Sequence, residues 1–141
     1  MKKIFLVIIV LIVLGINVVI SYGYNYNDSD HYDFYTLSFD NLSTSNIMNY
    51  FSDISVIRIY PYVNPVYRER MGFVSYKVNS GNLSYEVNMF KEKYLSLIKK
   101  NSYMDYNYLY SNGINIEKMD VYINNKQLKR LIDSDLIITV K

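Results

Sequence analysis

The sequence predicts an α+β domain behind an N-terminal hydrophobic helix. Three observations lead there. The first is an apolar run from Ile4 to Ile20, interrupted only by Gly15 and Asn17. The second is strand-period alternation in Tyr32 to Phe39, Val56 to Tyr62 and Phe73 to Val78. The third is a single helical stripe, Leu83, Val87, Phe90, Tyr94, Leu97 and Ile98, spaced by four, three, four, three and one.

The apolar run follows Lys2 and Lys3, and no charged residue occurs from Ile4 through Asn27. A helix of about 17 residues reaches roughly 25 Å, short for a membrane span and long for a signal-peptide core. No Lys or Arg follows until Arg58, so the positive-inside rule places the N-terminus in the cytoplasm and the rest outside. Residues 1–23 are therefore a signal peptide or membrane anchor. Ser21-Tyr22-Gly23 offers small residues for cleavage before Tyr24, which would release a secreted domain. The length of the run and the missing Ala-x-Ala pattern favour an uncleaved anchor in the cell membrane. Residues 24–31 are polar and read as a linker, and 32–141 as the extracytoplasmic domain.

Within the domain, Tyr35, Leu37 and Phe39 share one face of the first strand. Ser43 or Thr44 is placed to cap a short helix carrying Ile47, Met48 and Phe51. In the next strand Pro61 removes a ladder donor, which predicts a sheet edge. Asn64-Pro65 opens a predicted loop with Arg68, Glu69 and Arg70 at its tip, and the strand at 73–78 returns as a long hairpin. The long helix begins after Asn82 and ends near Lys99 and Lys100. Ser102 to Asn112 reads as a tyrosine-rich connection. Met119, Val121 and Ile123 mark a strand, Asn125 a cap, Leu128, Leu131 and Ile132 a helix, and Leu136 to Val140 a last strand.

The first six of these elements resemble the ferredoxin-like β-α-β-β-α-β plan, extended by a C-terminal helix and strand. That plan also puts its second strand at an edge. The end segments, Thr36 to Tyr62 and Met119 to Val140, share a strand-helix-strand outline with too few matching residues for a repeat.

Composition narrows the function. The chain has 141 residues, 50% of them hydrophobic and 20% charged, as in a folded domain. A net charge of +2 gives no expectation of nucleic acid as a partner. With no cysteine there is no disulfide, no thiolate metal site and no lipoprotein anchor. Asp28, Asp30 and Asp33 beside His31 lack the glycine turn and bidentate Glu of a calcium loop, so no metal or cofactor is predicted. The lone histidine lies in the linker, and glycine-rich phosphate loops are absent. No pair stands out among Asp53, Glu69, Glu86, Glu92 and Asp120, so an enzyme is not expected.

What remains are surfaces. Tyrosine numbers 17, and its apolar face and polar tip suit adhesion or sugar binding, although AT-rich codon usage produces the same bias. Tyr60, Tyr62 and Tyr67 form one candidate patch, Arg68 and Arg70 a second, and Tyr103, Tyr106 and Tyr108 a third. Asn27, Asn41 and Asn82 begin Asn-x-Ser sequons and are candidate glycan acceptors. The expected function is a non-enzymatic interaction module, anchored or secreted, that meets an envelope protein. The alternatives are an envelope glycan or small-solute binder, or a regulator like a protease inhibitor or pro-segment.

Overall fold

Apolar and polar residues alternate along β1 (Tyr32–Phe39), β2 (Ser55–Pro61) and β4 (Ile116–Asn124), and this gives the sheet one buried face and one open face. The structure, a computed structural model, describes residues 30–71 and 74–141. The predicted signal or anchor at 1–23, the linker through residue 29 and Asn27 lie outside the described residues. Among those that are described, no helix is long and apolar enough to cross a membrane. The domain is α+β, with a five-stranded antiparallel sheet ordered β3-β2-β4-β1-β5, where β3 is Tyr76–Lys77 and β5 is Ile137–Val140.

This order differs from the one predicted. In the ferredoxin-like plan that the first six elements resemble, the hairpin strand lies inside the sheet, yet β3 is a two-residue edge piece pairing Lys77 with Arg58 and Tyr76 with Ile59. Its expected place is taken by β4, which pairs with β1 on one side and β2 on the other. β1 and β2 thus run parallel on either side of β4, and β4 and β5 run parallel on either side of β1. β2 is not the outermost strand. Tyr62 donates its N–H to the Asn115 carbonyl at 2.9 Å, so the nitrogen of Pro61 points the other way, where β3 has already ended.

The helices sharpen several boundaries. α1 (Ile47–Phe51) is preceded by Asn46 rather than capped by Ser43 or Thr44, because Asn46 Oδ1 accepts from the Ser43 N–H at 2.8 Å. The predicted loop after Asn64 is helix α2 (Pro65–Met71). Pro65 occupies the first helical position, where no N–H is needed, and Asn64 Oδ1 accepts from the Val66 N–H at 3.0 Å. α3 (Leu83–Asn101) follows the predicted stripe and is capped by Asn82, whose Oδ1 accepts from the Tyr85 N–H at 3.1 Å. Leu97 faces solvent, and Leu95 and Glu86 face inward instead. The predicted connection at 102–112 is helix α4 (Tyr103–Asn112), capped by Ser102. α5 (Asn125–Asp133) starts from Asn124, one residue earlier than expected, through a capping box with Gln127.

A single core joins the buried sheet face (Leu37, Ile59, Met119, Val121) to Phe51 of α1, Phe90 of α3 and Leu128 of α5. The helices cover this face, while Phe34, Lys118, Tyr122 and Thr139 on the other face are exposed. Among the described residues, no buried side-chain nitrogen or oxygen lacks a hydrogen bond.

Gly113 links α4 to the sheet at φ 87° and ψ 166°, a conformation nearly confined to glycine. A β-carbon there would sit 3.2 Å from Thr44 Oγ1, which itself accepts from the Ile114 N–H at 3.0 Å. Gly113→Ala is expected to cost about 1–3 kcal/mol, read as a lower urea midpoint at unchanged slope.

Candidate binding cleft

Three of the candidate residues meet at one end of the molecule. Tyr62 follows β2, Tyr67 stands on α2 and Tyr108 stands on α4. Together with Tyr94 of α3 they line a cleft of about 220 Å³. Asn64, Asn115 and Asp105 supply its polar groups, and Ile98 and Leu109 its remaining apolar wall. The helical spacing of Asp105, Tyr108 and Leu109 puts all three on the same side of α4.

Tyr94 holds the cleft together. Its ring is buried against Phe90, with centroids 6.0 Å apart, and its hydroxyl donates to the Tyr62 carbonyl at 3.1 Å. Burial, and then the charge of Asp105, pushes the Tyr94 hydroxyl up to about 12. It therefore stays protonated and keeps donating at any physiological pH. Tyr108, 65% exposed, keeps its ring available at the rim. Aromatic faces beside amides and a carboxylate can take the apolar face of a ring and the hydroxyls around it.

The other candidates lie elsewhere. Tyr60 sits on the open sheet face and donates to Asp120 Oδ2 at 2.8 Å, while Thr36 donates to Oδ1 at 2.8 Å. Burial and the Asp120 carboxylate raise the Tyr60 hydroxyl above its usual range. Tyr60 borders a second hollow of about 350 Å³ with Val63, Val74, Arg68 and Lys118. There Arg68 lies 4.0 Å from Glu117, and Arg70 is exposed at the end of α2. Tyr103 and Tyr106 stack along another side of α4, and Lys99 stands over the Tyr106 ring at 5.1 Å. Of the sequon residues, Asn41 is exposed at φ 25°, and Asn82 is exposed while its Oδ1 caps α3.

Three of the carboxylates considered for chemistry, Asp53, Glu86 and Asp120, have structural partners. Asp53 accepts two bonds from Arg130, at 2.7 and 2.8 Å, and the guanidinium lowers its pKa. Glu86 accepts from the Tyr76 hydroxyl at 2.7 Å.

Sequence reasoning missed Asn64, Asp105 and Asn115 as site residues, and read Tyr94 as core alone. One signal was present: recognising a helix at 103–112 would have put Asp105 and Tyr108 on one face. Comparison with protein-family models, curated proteins and solved structures finds no match to this chain.

Proposed function

We propose that the chain is a membrane-tethered, non-catalytic binding module outside the cytoplasm, and that its tyrosine-lined cleft takes an envelope glycan or a small polar solute. The observation that carries this is the convergence of Tyr62, Tyr67, Tyr94 and Tyr108 around Asn64, Asp105 and Asn115. A volume of about 220 Å³ is below the range of about 300–1,000 Å³ common for drug-sized ligands, and it suits one sugar ring. Lys2, Lys3 and the apolar run from Ile4 to Ile20 support the tether and the orientation. We read β1-α1-β2 and β4-α5-β5 as the interleaved halves of a ferredoxin-like plan, with α2, β3, α3 and α4 inserted between them. On that reading the insertion supplies Tyr67, Tyr94 and Tyr108. A protein partner is the second reading, favoured by Tyr103, Met104 and Tyr110, which are all exposed on α4.

The test is a titration of the full chain with glucose, N-acetylglucosamine and their short oligomers, followed by calorimetry and NMR. Saturable binding of at least one sugar is expected. Tyr67→Ala and Tyr108→Ala should each weaken it about tenfold, or about 1.4 kcal/mol. Tyr103→Ala, outside the cleft, should leave it unchanged. A flat response to every sugar would sink the glycan assignment.

A further inference from the structure

The open face of the sheet carries an aromatic cluster that the cleft does not use. Tyr122 of β4 lies between two residues of β1, with ring centroids 4.7 Å from Phe34 and 5.4 Å from Tyr32. Phe34 is 69% exposed, although its ring has no polar group to place in water. Arg58, Lys77 and Lys118 occupy the same face, as their pairing shows. Asp120 on this face is already bound by Thr36 and Tyr60, and Glu117 stands 4.0 Å from Lys118, which leaves the basic side chains in excess.

We propose that this face rests on an anionic lipid surface, with Tyr32, Phe34 and Tyr122 at the level of the headgroups. The inference rests on the tether reading above and is independent of the cleft. Two features name lipid as the occupant. The first is where the apolar run leads. From Ser21 to Tyr32 the chain advances eleven residues, a reach of no more than about 36–40 Å, and it enters the domain at the aromatic cluster itself. A retained anchor thus keeps these rings within that distance of the membrane. The second is charge. Aromatic rings flanked by Arg and Lys match the apolar and anionic layers of a lipid interface.

The absence of native cysteine allows single labels. Ser55→Cys places a spin label beside Tyr122 on the open face, and Ser96→Cys places one on exposed α3 across the core. The full chain is reconstituted into phosphatidylcholine vesicles with about one third phosphatidylglycerol and a nickel-chelating lipid. Relaxation by nickel should be several-fold stronger at position 55 than at 96. The contrast should fall when Phe34→Ser and Tyr122→Ser are combined, with circular dichroism confirming the fold, and when phosphatidylglycerol is omitted. Equal relaxation at the two positions in vesicle-bound protein would overturn the proposal alone. Dipolar broadening at position 55 that appears without nickel would assign the face to a second copy and also overturn it. A chain that does not float with the vesicles would overturn the tether reading and this inference together.

Discussion

Phe90→Ala is expected to destabilise the domain by about 3–5 kcal/mol, the range for removing a buried aromatic ring. Phe90 is 1% exposed and lies between Tyr76 and Tyr94, with ring centroids 5.8 and 6.0 Å away. A cavity there strips contacts from the short edge strand on one side and from the floor of the cleft on the other. Domains of this size carry about 5–15 kcal/mol in total, so the variant should be visibly marginal. Urea unfolding should show a lower midpoint with an unchanged slope. A loss below about 1 kcal/mol would mean that α3 packs too loosely to belong to the core. Sugar binding should weaken as well, since Tyr94 relies on Phe90 for its position.

Glu86→Ala should cost about 2–3 kcal/mol, although it removes little apolar area. Glu86 is 2% exposed and accepts from the Tyr76 hydroxyl at 2.7 Å, beneath the exposed residues Asn79 to Gly81. Removing the carboxylate leaves a covered hydroxyl without its acceptor. The pair also sets an acid dependence. The Tyr76 hydroxyl bond, helped by Ser80 and Asn79, outweighs burial and lowers the pKa of Glu86 from 4.5. In acid the unfolded chain therefore takes up this proton first. The contribution of Glu86 is complete above about pH 4.5 and is lost as pH falls through the lower folded value. On the other side of the bond, burial and Glu86 push the Tyr76 hydroxyl up to about 12, so the proton stays on the tyrosine. Glu86→Gln keeps an acceptor for Tyr76 and cannot titrate. It should lose less stability than Glu86→Ala and show a shallower decline below pH 4.5. An acid limb identical to that of the parent would remove Glu86 as its source. Glu86 and Phe90 share Tyr76, so their combined effect should depart from additivity.

Local signals sufficed for much of the fold. The stripe from Leu83 to Ile98 needed no partner to be recognised, because a period near 3.6 decides a helix by itself. Alternation marked β1, β2 and β4 for the same reason. Two misses were legible in hindsight. Asn64 followed by Pro65 is a cap and a first helical turn, which identifies α2. Tyr103, Tyr106 and Tyr110 are three and four residues apart, a helical spacing, and their successive ring centroids lie 6.0 and 5.9 Å apart. The tyrosine-rich composition masked that helix because none of its residues is buried.

By itself the sequence determined the α+β class and the position of the long helix, and it singled out Tyr62, Tyr67 and Tyr108 while reading Tyr94 as core. It did so because side-chain period, caps and composition are properties of neighbouring residues. The tertiary structure alone decided that β4 stands between β1 and β2, and that Tyr62, Tyr67, Tyr94 and Tyr108 share a cleft with Asp105. Alternation tells which face of a strand is buried but not which strand lies beside it. That choice belongs to pairings between residues far apart in the chain, such as Val56 with Val121 and Thr36 with Asp120. The cleft is a consequence of those pairings, since its lining is drawn from β2's end, α2, α3 and α4, and no short window of sequence contains it.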